Sequence, residues 1–202
     1  MDFASAQQKE YSSQEFTSLV LKNEQIILKG FNACTFTKCT FSETAFEKCE
    51  FRDCVFKKCS LSLVSLKESL FLGTRFEDSQ LIGINWTETS WAKNKATLIT
   101  PVDFFGCTLN YSTFIGLNLK KINLTKCMAQ DVSFEDANLT QANCTATDFT
   151  NSRFLHTNLT QADFSGATNY SIAANLNTLK KTKFSLPEAM SLLYSLDIVL
   201  TE

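Results

Sequence analysis

Large apolar residues recur at every fifth position along most of this chain. One register runs Phe16, Leu21, Ile26, Phe31, Phe36, Phe41, Phe46, Phe51, Phe56, Leu61, Leu66, Phe71, Phe76, Leu81, Trp86 and Trp91. A second runs Phe104, Leu109, Phe114, Leu119, Leu124, Ala129, Phe134, Leu139, Cys144, Phe149, Phe154, Leu159 and Phe164. A period of five fits neither a helix at 3.6 nor a strand at 2, so the pattern is an internal repeat. Two positions before most of the large residues stands a small or short one. Cys34, Cys39, Cys49, Cys54, Cys59, Cys107 and Cys127 hold that place, as do Ser69, Thr74, Ser79, Thr147, Ser152 and Ala162.

Longer correlations show how the repeats close. The string NLTQA occurs at 138–142 and again at 158–162, twenty residues apart. Cys34 and Cys54, Cys39 and Cys59, and Cys107 and Cys127 share that offset. So do four opposite-charge pairs: Glu47 with Lys67, Lys48 with Glu68, Lys57 with Glu77, and Lys58 with Asp78. Opposite charges facing each other across neighbouring strands help by about 0.2–1 kcal/mol. Residues twenty apart are therefore expected to stack at strand spacing, about 4.8 Å.

Composition narrows the chemistry. The chain has 18 Phe but only 6 Gly and 2 Pro, and 19 basic against 21 acidic residues give a net charge of −2. So small a net charge gives no reason to expect direct nucleic-acid binding. The polar start MDFASAQQKE and the lack of an apolar run of about 20 residues argue against a secretory signal and a membrane span. The expectation is a cytoplasmic protein whose eight cysteines are reduced. Structural zinc sites prefer two to four residues between cysteines, with a second pair or histidines to complete the set. The sole histidine, His156, follows the interior slot of Phe154 by two and should be solvated. Cysteine here reads as a small hydrophobe in a tight interior. No metal, cofactor or catalytic residue is expected, because no phosphate-binding loop, H-E-x-x-H or G-x-S-x-G motif occurs.

Phe or Leu every fifth residue, a small residue two before it, and Asn or Asp often just before it, as in Ala137-Asn138-Leu139 and Ala162-Asp163-Phe164, is similar to the pentapeptide-repeat family. The resemblance implies an all-β solenoid: a right-handed quadrilateral parallel β-helix of four pentapeptides per coil, with a C-terminal capping α-helix. The expected organisation is an N-terminal segment over 1–15, the repeat body over 16–168, and a cap and dimerisation segment over 169–202. A register break falls at 92–103, where thirteen residues separate Trp91 from Phe104. Two successive Trp in a narrow column suggest a distorted coil or a small outward loop there.

Near the end, Ser185-Leu186-Pro187-Glu188 fits a capping box opening a helix. Leu186, Met190, Leu193 and Leu196 follow at helical spacing, with Tyr194 beside them and Ile198 and Leu200 beyond. These residues are the candidate homodimer interface, which a two-fold contact would bury. The stretch KKTKFSLPEAMSLLYSLDIVL resembles the cap of the quinolone-resistance and microcin-immunity branch of the family. That branch consists of homodimeric rods that imitate duplex DNA and bind type II topoisomerases, either DNA gyrase or topoisomerase IV. The candidate acidic partner surface is Asp131, Glu135, Asp136, Asp148 and Asp163. The alternative reading is a protein–protein interaction scaffold with a different partner.

Overall fold

A computed structural model describes residues 3, 7–90, 102–196 and 198. It is a parallel β-solenoid of about eight turns with one short helix near the C-terminus. Strands of two to four residues pair in parallel and in register, as in Glu10–Ser12 with Gly30–Asn32 and Glu50–Arg52 with Leu70–Leu72. The longest sheet runs from Glu15–Thr17 through Thr35–Thr37, Val55–Lys57, Thr74–Glu77 and Val102–Phe105 to Leu124–Thr125. The chain visits four faces per turn. The first carries Tyr11, Phe31, Phe51 and Phe71 inward; the second Phe16, Phe36, Phe56 and Phe76; the third Leu21, Phe41, Leu61 and Leu81; the fourth Ile26, Phe46, Leu66 and Trp86. Regular pairing starts at Glu10, because Tyr11 already fills an interior slot.

The interior is a column of rings. Phe31 and Phe51 stack with centroids 5.1 Å apart and planes 6° from parallel, and Phe51 and Phe71 repeat this at 5.0 Å and 12°. On the second face Phe36 and Phe56 stack at 4.5 Å. Rings on adjoining faces meet edge to face, as Phe46 and Phe51 do at 5.5 Å and 81°. Each arrangement suits the aromatic quadrupole.

Corners are made by a device the sequence hides. The residue two after most interior slots takes the left-handed conformation: Ser13, Ser18, Asn23, Leu28, Ala33 and Lys38 open a series that runs to Lys181. Glycine, the usual occupant of that region, serves only at Gly73, Gly83, Gly106, Gly116 and Gly166. Leu28, Leu63 and Tyr111 adopt it too, at a cost of roughly 1–2 kcal/mol each. The stacked backbone hydrogen bonds on either side, such as Leu28 N–H to Glu47 C=O at 3.0 Å, hold them there.

The small residues do more than save space. The Ser, Thr and Cys among them send their side chains to the carbonyl oxygen of the interior residue one coil back. Ser69 donates to Phe46 at 2.8 Å, Thr74 to Phe51 at 3.0 Å, and Cys54 to Phe31 at 3.3 Å. Several also accept a backbone N–H: Cys49 N–H reaches Ser69 Oγ at 2.9 Å and Cys59 N–H reaches Ser79 Oγ at 2.9 Å. Cysteine is chosen here as a weak donor as well as a small apolar group. All eight cysteines are free and buried. Burial pushes the thiols of Cys54 and Cys127 up to about 12 and that of Cys49 up to about 11. Cys39 is the exception: its neighbour Cys59, one coil on, holds it below the ordinary thiol value.

Two of the four charge pairs form: Lys57–Glu77 at 3.2 Å and Glu47–Lys67 at 3.9 Å. Lys48–Glu68 and Lys58–Asp78 do not come within ion-pair distance. All four of those residues sit at left-handed corners, where side chains fan outward, whereas the pairs that form flank the strand centres.

Phe76 pairs with Phe104, an offset of 28 rather than 20, so one coil carries eight extra residues. Trp91 and the stretch 92–101 lie outside the described residues. Trp86, expected to be too bulky for the column, is fully buried and stacks on Phe114 at 5.6 Å. A short 3-10 turn, Trp86–Glu88, makes room, with Asn85 Oδ1 accepting the Thr87 N–H at 3.1 Å.

Both ends are covered. Phe3 plugs the N-terminal end, edge to face with Tyr11, Phe16 and Phe31 at 5.2–5.5 Å. At the other end pairing continues to Lys183–Phe184, and Glu188–Leu196 lies against Ser171–Ile172. The helix is present but winds as a 3-10 helix rather than an α-helix. The expected capping box does not form. Ser185 Oγ accepts the Gly166 N–H at 3.1 Å, and Glu188 accepts the Asn169 N–H at 2.6 Å. Both side chains are spent on the open edge of the last coil, where unpaired N–H groups need acceptors.

Candidate functional site

Every fifth residue points inward, so function on this scaffold has to be read from the two residues flanking each slot and from the corners. Asp148 flanks a slot on the third face and Glu135 one on the fourth, while Asp131 and Asp136 stand at the corners that follow those two faces. The fold thus gathers four of the five candidate acids onto two adjoining faces. Asp163 is separate, on the second face, where its carboxylate takes Lys183 Nζ at 2.9 Å.

Most of these acids already have partners. Glu135 lies 3.3 Å from Arg153, and Asp136 lies 3.4 Å from His156 Nδ1. Asp148 is the most engaged. Burial alone would raise its pKa, but donors from Asn169 at 2.9 Å, Thr150 at 2.7 Å and Gln130 at 2.8 Å lower it to about 2. The Asp131 carboxylate has no hydrogen-bond or ion-pair partner among the described residues, while its backbone N–H donates to Thr150 C=O at 2.9 Å. His156 is exposed at a left-handed corner.

Opposite this acidic side the molecule carries lysines. Lys120 and Lys180 stand in one column of the first face, joined through Thr140 and Thr160, and Lys121 and Lys181 stand at the neighbouring corner through Gln141 and Gln161. Sequence reasoning missed this arrangement. The twenty-residue period carries the signal, since 120 and 180 differ by three coils.

The candidate dimer residues leave the last coil with an apolar surface. Leu186 is 78% and Tyr194 72% exposed, and Met190, Leu196 and Ile198 are exposed as well. Leu193 is half-buried, and Leu192 packs on the core. Leu200 lies outside the described residues.

Concavities are slight. A shallow groove of about 240 Å³ runs along the corner between the second and third faces, lined by Lys38, Lys58, Asp78 and the backbone around Cys39 and Cys59. Among the described residues no cluster of three His, Cys, Asp or Glu side chains could hold a metal ion, and no helix is long and apolar enough to cross a membrane.

Family models for a pentapeptide repeat region match residues 29–114, and models for pentapeptide repeats match 103–141 and 130–166. No curated protein matches the sequence. Among solved structures, a trypsin-treated variant of QnrB1, a plasmid-mediated fluoroquinolone resistance protein, is similar over 96% of this chain and all of its own, with 16% identity and a TM-score of 0.56. Full-length QnrB1 is similar over 91% of this chain and all of its own, with 21% identity and a TM-score of 0.50. HetL, a pentapeptide repeat protein involved in heterocyst differentiation regulation in the cyanobacterium Nostoc sp., covers 89% of this chain and 90% of its own at 16% identity, with a TM-score of 0.45.

Proposed function

The chain belongs to the pentapeptide-repeat family, and from that premise we propose that it is a non-catalytic protein that binds a bacterial type II topoisomerase, DNA gyrase above all, and protects it from quinolones or toxins. The observation that carries this reading is the gathering of Asp131, Glu135, Asp136 and Asp148 on two adjoining faces of a rigid rod. A row of fixed carboxylates on a straight surface offers a topoisomerase what the phosphates of duplex DNA offer. QnrB1, a fluoroquinolone resistance protein, has the same fold. Two copies joined through Leu186, Met190, Leu193, Tyr194, Leu196, Ile198 and Leu200 would double the length of that surface and cover the apolar stripe at the C-terminal end.

A second reading is favoured by the internal pairing of the acids. Glu135 and Asp136 spend part of their charge on Arg153 and His156, and duplex DNA carries about one charge per 1.7 Å. On this reading the rod is a scaffold for a different protein partner. A supercoiling assay with purified gyrase, with and without a fluoroquinolone, separates the two. The topoisomerase reading expects binding and rescue of supercoiling at micromolar protein, and neither effect at that concentration would leave the scaffold reading.

A further inference from the structure

The charges in the C-terminal half of the rod are sorted by side. On the first and second faces between residues 118 and 183, Lys120, Lys121, Lys126, Lys180, Lys181 and Lys183 are accompanied by a single acid, Asp163. On the third and fourth faces the acids prevail. The two sides also differ in how far they are satisfied. The acids are mostly paired within the chain, whereas of the six lysines only Lys183 is paired, with Asp163. The ammonium groups of the other five have no partner among the described residues, and all five residues are exposed.

Their spacing is fixed by the fold. Lys120 and Lys180, and Lys121 and Lys181, are three coils apart, about 14 Å at strand spacing. The positions between them are neutral hydrogen-bonding groups: Thr140, Thr160, Gln141 and Gln161, with the Gln141 amide donating to Gln161 at 2.9 Å. From 118 to 121, 138 to 141, 158 to 161 and 178 to 181 the first face bears no carboxylate.

We infer that this lysine-bordered face docks on the phosphate backbone of duplex nucleic acid. Two rows of cations about 14 Å apart match the two phosphate ridges that border a major groove roughly 12 Å wide, and flexible lysine stems take up the difference. The neutral donors between them face the groove. A second copy of this chain is a poorer partner, because three of the four acids on its opposite side are already engaged by Arg153, His156, Asn169 and Gln130. A flexible acidic segment of another protein would have to be ordered on the flat surface, while a duplex arrives with its charges already spaced. Contacts of this kind are to the backbone and read no sequence. The inference stands apart from topoisomerase binding, which would use the opposite side.

The test is fluorescence anisotropy of a labelled duplex of about 20 base pairs with the full chain, across a salt series from about 20 to 200 mM. Four lysine–phosphate contacts at about 0.9 each give a slope of log K against log salt near −3.6. The variant carrying Lys120→Gln, Lys121→Gln, Lys180→Gln and Lys181→Gln should lose most of that slope and bind at least about tenfold more weakly at low salt. A charge-matched control with Lys9→Gln, Lys22→Gln, Lys38→Gln and Lys48→Gln should keep it. Circular dichroism of both variants checks the fold, which exposed substitutions leave intact. No binding at the lowest salt, or equal loss in the two variants, overturns the inference. So does displacement of the duplex by a poly-glutamate peptide at matched charge, which would point to an acidic protein.

Discussion

The Ser69 hydroxyl accepts the backbone N–H of Cys49, one coil back, at 2.9 Å. Its proton goes to the Phe46 carbonyl at 2.8 Å, so one buried side chain satisfies two backbone groups at a corner. Ser69→Ala should leave both without partners and cost about 2–3 kcal/mol, whereas Ser69→Cys, which keeps a weaker donor, should cost about 1 kcal/mol or less. Urea denaturation of the two variants measures the difference, and equal stabilities would show that the small position needs only small size.

Phe51 lies between Phe31 and Phe71, with centroids 5.1 and 5.0 Å away. Phe51→Ala opens a hole that stacked coils cannot collapse into, and should cost about 3–5 kcal/mol. A loss under about 1 kcal/mol in equilibrium unfolding would mean that the column is loosely packed.

The buried thiols should label slowly in the native chain. Cys54 and Cys127 have folded pKa values of about 12, above the roughly 8.5 of an unfolded cysteine. A raised value means that their contribution to stability is complete below about pH 8.5 and fades as pH climbs toward 12. Ellman's reagent should therefore react far faster with urea-unfolded chain than with native chain. The first thiol to react in the native chain should be Cys39, as mass spectrometry of the labelled peptides will show.

Asp148 works in the opposite direction. Its folded pKa of about 2 lies below the roughly 3.9 of an unfolded aspartate. The stability it brings is present above about pH 4 and is lost as pH falls toward 2. Asp148→Asn should lower Tm at pH 7 and flatten the acid limb of the Tm–pH curve in that window. An acid limb identical to wild type would remove Asp148 from the account.

At the C-terminal end, Met190→Glu combined with Leu193→Glu should yield monomers on sizing with light scattering, while the repeat body keeps its β-sheet circular dichroism signal. An unchanged dimer would place the contact elsewhere.

The solenoid was legible because its core is periodic. The five-residue register named the interior column, and the twenty-residue offset fixed which residues stack, down to the Lys57–Glu77 and Glu47–Lys67 pairs. The corners were not legible, since most left-handed positions are filled by residues such as Leu28, Lys38, Leu63 and Tyr111, and glycine or asparagine, which would announce them, holds only a minority. Ser185 and Glu188 matched the pattern of a capping box. Its logic is local, whereas the nearest orphan N–H groups belonged to Gly166 and Asn169 on a neighbouring coil. The candidate site was half legible. The acids could be named, but a net charge of −2 averaged two opposed sides into near neutrality.

The offset of 28 between Phe76 and Phe104 has a practical meaning. The coils before and after it pair normally, so eight additional residues in one winding leave its neighbours undisturbed. The rod behaves as a ruler with one notch already cut: whole windings can be added or removed to change its reach, and an engineer wishing to display a foreign peptide has a tolerated graft point between those two rings.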